Sequence, residues 1–226
     1  MAVERFSLSD LAAHARILLG ETTVSLSKIT DARLYELINV GLQRLPVKLQ
    51  MAARQAKRNL PVTPRMWTTL GATLTVASGS STGYLPTDFY RLIGDFYDTT
   101  TYRHIPAITQ VSQFHRDLRE RPPGPTEYIT LGGYVTNGAD WQMSCRLYPV
   151  TPSGVTPAIS LDYCRLPAMM AGSSPATEYP DISPEYQLLP VYEAMLELLR
   201  SDDALYDRFA AASMALILEI LSDNAD

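Results

Sequence analysis

The sequence is short of cysteine, histidine and long apolar runs, and each shortage removes a class of function. Two cysteines, Cys145 and Cys164, in a chain of 226 residues do not make the disulfide framework of a small secreted domain. Both sit in strand-like runs, Ser144–Tyr148 and Ala158–Arg165, and read as small buried side chains. There are three histidines, His14, His104 and His115. His115 and Asp117 stand two apart on an expected helix and so face different ways, which leaves a site of His104, His115 and Asp117 to be assembled by the fold alone. The nucleophile elbow, the phosphate-binding Gly-Lys-Ser/Thr loop, the dinucleotide glycine fingerprint and the zinc-protease His-Glu pair are all missing. No run reaches the roughly 20 apolar residues of a membrane helix. The most apolar window, Phe209 to Leu221, is shorter and ends in acids. Met1 to Leu11 carries Glu4, Arg5 and Asp10 where a signal peptide has a basic start and an apolar stretch. The expectation is a soluble protein that folds in a cytoplasm, with no catalytic residues, no cofactor, no metal and no membrane association.

What is present is ordinary globular material. An apolar fraction of 46% and a charged fraction of 19% allow a real core and argue against disorder. The charge is unevenly placed. Met1 to Arg65 has ten Lys/Arg against five Asp/Glu, whereas Glu178 to Asp226 has two against eleven. Such a split serves head-to-tail packing between copies, faces different partners, or is neutralised within one monomer.

The chain opens and closes with helical patterns. Ser7 is a predicted N-cap with Asp10 as an imperfect capping box, and Leu8, Leu11, Ala12, Ala15, Leu18 and Leu19 follow at helical spacing up to Gly20. A second helix starts near Thr30 and carries Leu34, Leu37, Ile38, Leu42, Leu45 and Leu49, with Pro46 predicted to kink or break it. Near the other end, Ser183-Pro184-Glu185 predicts a helix start, with Pro190 bending its first turns. Ser201 or Asp202 caps a last helix, Ala204 to Leu221, and so short a connection predicts an antiparallel pair.

Between these ends the period drops to two. Ala72–Val76, Phe89–Asp95, Tyr102–Ile105, Glu127–Leu131, Ser144–Tyr148 and Ala158–Arg165 read as strands, with one short helix near Val111 to Arg119. Asn137-Gly138 predicts a hairpin turn, Gly132-Gly133 a turn between strands, and Ser78 to Gly83 a hairpin tip. The fold class is therefore α+β: a helical bundle built from both ends of the chain (residues 1–65 and 171–226) with a β-rich inserted lobe (66–170).

One charge feature stands out. Arg44, Lys48, Arg54, Lys57, Arg58 and Arg65 have no acid among them, so the stretch is a candidate to neutralise DNA phosphates or face a partner, as well as what a solvated helix face looks like. Tyr84, Phe89, Tyr90 and Tyr97 are either core or interface anchors.

Several proline-marked pieces then follow in a set order: Tyr84-Leu85-Pro86-Thr87-Asp88-Phe89-Tyr90-Arg91, Ile105-Pro106-Ala107, Pro122 to Tyr128, Arg146 to Pro152, Leu161 to Pro167, and Tyr179 to Tyr186. Their succession resembles the head-to-tail adaptor (connector) proteins of tailed bacteriophages, from about Thr73 to Arg200. The resemblance implies a structural protein of the virion neck, made in the host cytoplasm. It implies a homo-oligomeric ring, commonly of twelve copies, bound to the portal protein. That ring extends the DNA channel past packaged DNA and offers a docking surface to a tail or nozzle protein. The helical part is expected on the portal. The family's inserting C-terminal tail is not expected here, because Ser222 to Asp226 follow directly on the last helix. The loops Ser78–Gly83 and Ala171–Pro175 are candidates to order on assembly. Three other readings stand beside this one: a tail-completion or baseplate subunit, a small hydrolase using His104 or His115, and a nucleic-acid-binding regulator using the basic stretch.

Overall fold

Ser7 opens the first helix, α1 (Leu8–Leu18), by the predicted capping box: its Oγ accepts from the Asp10 amide at 3.3 Å, and the Asp10 carboxylate accepts from the Ser7 amide at 2.9 Å. The structure, a computed structural model, describes residues 5–20, 29–55, 67–108, 122–199 and 204–223. The next two amides of α1 donate to carbonyls far along the chain, Leu8 to Glu178 at 2.8 Å and Ser9 to Pro175 at 3.0 Å.

The second helix, α2 (Asp31–Gln55), runs unbroken through Pro46, so the expected break does not occur. Pro46 withholds the N–H that the Leu42 carbonyl would accept. Leu42, Leu45 and Leu49 are nevertheless at most 1% exposed. Packing on both sides of the proline offsets its helix cost of about 3 kcal/mol.

The predicted start at Ser183 is also revised. Pro184–Tyr186 form only a 3₁₀ turn, the Ser183 side chain does not cap, and α3 spans Leu189–Leu198. Pro190 explains the delay. In a helix begun at Pro184 it would sit in the interior, whereas a start at Leu189 places it in the first turn, where no N–H is needed. The last helix, α4, spans Ala204–Asp223. Tyr192 stacks on Phe209, Glu193 meets Ser213 and Tyr186 meets Asp223, so α3 and α4 are antiparallel as expected. Ser201, Asp202 and the expected helix at Val111–Arg119 lie outside the described residues.

The chain divides into two compact units, one of Met1–Trp67 with Leu166–Asp226 and one of Thr68–Arg165. The first holds the four helices. α2 and α3 approach so closely that a Cβ on Gly41 would lie 2.6 Å from the Pro190 carbonyl oxygen and 3.0 Å from the Glu193 Cβ. Buried Asn39 fastens the returning chain by a reciprocal pair, its amide donating to the Met170 carbonyl at 2.8 Å and its oxygen accepting from the Met170 N–H at 2.9 Å.

The second unit holds β1 (Thr68–Thr73), β2 (Thr75–Val76), β3 (Thr82–Tyr84), β4 (Phe89–Asp98), β5 (Arg103–Ile105), β6 (Ala107–Ile108), β7 (Tyr128–Asn137), β8 (Asp140–Tyr148) and β9 (Ile159–Arg165). They form two sheets, ordered β1-β9-β4-β5 and β2-β3-β8-β7-β6. Phe96, Ile105 and Leu161 of the first and Val76, Ile129 and Leu147 of the second belong to one buried cluster, so the sheets share a core. Cys145 is part of that cluster, and burial pushes its thiol up to about 12. Cys164 on β9 is buried as well, and both are free, as the sequence led us to expect.

Two turns differ from expectation. Gly132-Gly133 is no turn; it lies inside β7 at a register shift between Leu131 and Tyr134, and a Cβ on Gly132 would sit 2.5 Å from the Ser144 Oγ on β8. The hairpin loop is Gly138-Ala139, one residue later than predicted, because Asn137 pairs with Asp140. Gly138 alone takes positive φ, 64°, as a loop with glycine in its first central position requires. The tip between β2 and β3 falls within the predicted stretch from Ser78, but Thr82 and Gly83 already belong to β3, with Gly83 paired to Val76.

Two outcomes follow. Gly41→Ala should cost about 1–3 kcal/mol in urea unfolding, since backbone at Pro190 cannot yield. In acid, Asp10 and Glu178 should act together. Both carboxyls are held below their ordinary values of 3.8 and 4.5, Asp10 by the Ser7 hydroxyl and amide, Glu178 by the Gly172 and Ser174 amides. Their contribution is complete above those values and fades as pH falls through the lower folded ones. Amide exchange in α1 should therefore accelerate below about pH 4 before that of β8 and β9 does.

Candidate assembly interfaces

The basic stretch begins on α2, where Arg44 and Lys48 are one turn apart. Glu193 and Glu197 are one turn apart on α3. The two pairs form successive rungs, Arg44 with Glu197 and Lys48 with Glu193. Arg44 and Glu197 are both about half exposed, so this rung contributes at most about 1 kcal/mol. The other rung differs in kind. Glu193 is 2% exposed and also accepts from the Ser213 hydroxyl of α4 at 2.5 Å. Lys48 and Ser213 thus give this enclosed carboxyl one charged and one neutral hydrogen-bonding partner. The basic head and the acidic tail thus meet, in part, inside one unit. Arg54 lies exposed at the end of α2, and Lys57, Arg58 and Arg65 lie outside the described residues.

The aromatic candidates separate. Phe89 is core, 3% exposed and stacked on Tyr163 with ring centroids 5.6 Å apart. The Tyr163 hydroxyl donates to Asp88 at 2.7 Å. Burial and then Asp88 push this phenol up to about 12, so it stays a donor. Two of the pieces that marked the sequence, Tyr84 to Arg91 and Leu161 to Pro167, therefore meet through Asp88, Phe89 and Tyr163. Tyr84 and Tyr90 are partly buried. Tyr97 is also partly buried, and edge-on to Tyr102 and His104 at centroid distances of 6.4 and 5.3 Å. Tyr102 is 77% exposed and His104 is exposed, so this trio is a surface patch on the β4–β5 hairpin.

His14 is partly buried on α1, and His115 and Asp117 lie outside the described residues. Among the described residues no group of three or more His, Cys, Asp or Glu is placed to hold a metal, and no helix is long and apolar enough to cross a membrane. Both loops thought to order on assembly are already held within the chain. Glu178 accepts from the Gly172 amide at 2.6 Å and the Ser174 amide at 3.0 Å, and the Leu147 amide donates to the Ser81 carbonyl at 2.8 Å.

Sequence reasoning passed over other exposed apolar side chains. Trp141 is 67% exposed and Tyr134 50%, both on β7–β8, while Met51 of α2 and Leu218 of α4 are 58% and 49% exposed. For Met51 and Leu218 the available signal was phase, since each stands off the buried stripe of its helix; Trp141 keeps the inward phase of Cys145 and Leu147, so its exposure was not legible in the sequence.

The model of the family described as SU10 adaptor protein matches residues 6–225. The chain belongs to the SU10 adaptor protein family. It is a phage structural adaptor protein, in agreement with the resemblance carried by its proline-marked pieces. No individual curated protein matches it. In this adaptor the enclosed Glu193 is a structural device, and it can be tested as one. Lys48→Met should destabilise by about 1–3 kcal/mol by leaving Glu193 with Ser213 alone, and adding Glu193→Leu should restore most of that loss in urea melts.

Proposed function

We propose that this adaptor forms a ring of like copies, commonly twelve, that seats on the portal protein at the capsid vertex, extends the DNA channel and presents a surface to a tail or nozzle protein. The membership over residues 6–225 is the observation that supports it most. The role is non-catalytic and needs no cofactor: binding surfaces and a channel wall do the work. Residues 1–65 and 171–226 form the portal-side part, and residues 66–170 form the inserted lobe, whose Tyr84, Tyr90 and Tyr97 contribute to subunit or tail contacts. The basic stretch from Arg44 to Arg65 faces the channel or the portal. The candidates for that contact are Arg44, Lys48, Arg54, Lys57, Arg58 and Arg65, of which Arg44 and Lys48 also pair with Glu197 and Glu193.

Native mass, alone and after mixing with the portal ring of the same genome, tests the reading. A discrete complex with one copy per portal subunit supports it. No binding to an intact portal ring moves the assignment to a tail-completion or baseplate subunit. Contact with DNA has its own signature: affinity of the assembled ring should fall steeply with salt, and replacing Arg54, Lys57, Arg58 and Arg65 by Gln should flatten that dependence by up to about four phosphate contacts.

A further inference from the structure

The β7–β8 ribbon has two unlike ends. Beyond the bulge at Gly132-Gly133, residues 134–137 of β7 and 140–142 of β8 pair with each other and, among the described residues, with no other strand. This projecting tip carries Trp141, 67% exposed. At the other end the ladder continues past the strands, with the Glu127 amide donating to the Tyr148 carbonyl at 2.7 Å and the Gly124 amide to the Val150 carbonyl at 3.0 Å. There the chain surrounds a cavity of about 260 Å³ between Pro125, Thr126, Thr151, Pro152, Val155 and Ile159. Val155, 48% exposed, stands at its rim.

Two features of the cavity point to an occupant. Its walls combine proline and aliphatic side chains with threonines and, at one side, Asp98. Within them, Thr126 and Thr151, 8% and 4% exposed, bury hydroxyl oxygens that have no hydrogen-bond partner among the described residues. Folded proteins leave few such groups unpaired.

We propose that this cavity receives the Trp141 indole of a neighbouring copy, with the indole N–H donating to the Thr126 or Thr151 hydroxyl. This names the contact between copies in the ring reading and rests on that reading. Size agrees, since a dry cavity of about 150 Å³ accepts benzene and this one has room for a fused second ring. Chemistry agrees, since an indole brings one donor, no acceptor and a large apolar body, and the cavity sets threonine hydroxyls among proline and aliphatic side chains. Position agrees as well. Ten residues of β7 separate tip from cavity by roughly 30 Å, so a copy cannot fill its own cavity. Insertion into the next copy is a head-to-tail contact, the kind that closes into a ring.

Acrylamide quenching of tryptophan fluorescence reads the contact directly, because Trp67 is fully buried and Trp141 alone is open to the quencher. For rings seated on the portal, adaptor labelled with 5-hydroxytryptophan keeps the signal separate from portal tryptophans. Assembly should protect Trp141. Trp141→Ala should raise the concentration for half-assembly at least about thirtyfold. The double variant Thr126→Val, Thr151→Val should keep or raise the monomer's Tm, yet weaken assembly up to about tenfold. A ring in which Trp141 stays as open to quencher as in the monomer overturns the contact and leaves the ring reading standing. So does a Trp141→Ala chain that assembles at the parental concentration, or a co-purified small molecule that fills the cavity of assembled copies. Absence of any assembly, alone or on an intact portal ring, overturns both.

Discussion

The Glu193 carboxylate is sealed between helices that lie far apart in the chain, and the helical unit depends on how it is satisfied. It takes a charge from Lys48 on α2 and a hydroxyl donor from Ser213 on α4. A polar group at this depth is tolerated when such partners are in place. Helices from both ends of the chain therefore have to assemble for either end to be stable. The same helices also bury one another's apolar stripes. Gly41 lets α2 and α3 approach until backbone meets backbone, and Asn39 ties down the returning segment at Met170. The polar contacts select the register in which that apolar burial happens.

The β-rich unit uses a different device for the same problem. Tyr163 on β9 places its ring on Phe89 and its hydroxyl on Asp88, so one residue secures the turn that enters β4. Strands β4 and β9 are already neighbours in one sheet, and this contact sets where their pairing begins. The proline-marked pieces of the sequence are thus structural joints. That suits an adaptor, whose task is to hold surfaces in place rather than to perform chemistry.

Charge patterning illustrates how far a sequence alone leads. The basic head and acidic tail were plain, but three uses for them were open: pairing between copies, facing different partners and pairing within one copy. The structure shows Arg44 and Lys48 in the last of these through Glu197 and Glu193. The exposed aromatics show the reverse. Phe89 and Tyr97 looked alike in sequence, one apolar ring each in a period-two run. Burial then separated them, since Phe89 points into the shared core and Tyr97 joins the surface patch of Tyr102 and His104.

What the sequence by itself determined were features whose causes lie within a few residues: the Ser7 capping box, the leucine stripe of α2, the period-two strands and the order of the proline-marked pieces that carries the family. Only the tertiary structure decided that α2 continues through Pro46, that α3 waits until Leu189, that Gly132-Gly133 is a bulge and that the hairpin turns at Gly138-Ala139. The physical reason is the same in each case. A local preference is worth about 1–3 kcal/mol, and the burial of a helix face or the pairing of a whole strand outweighs it.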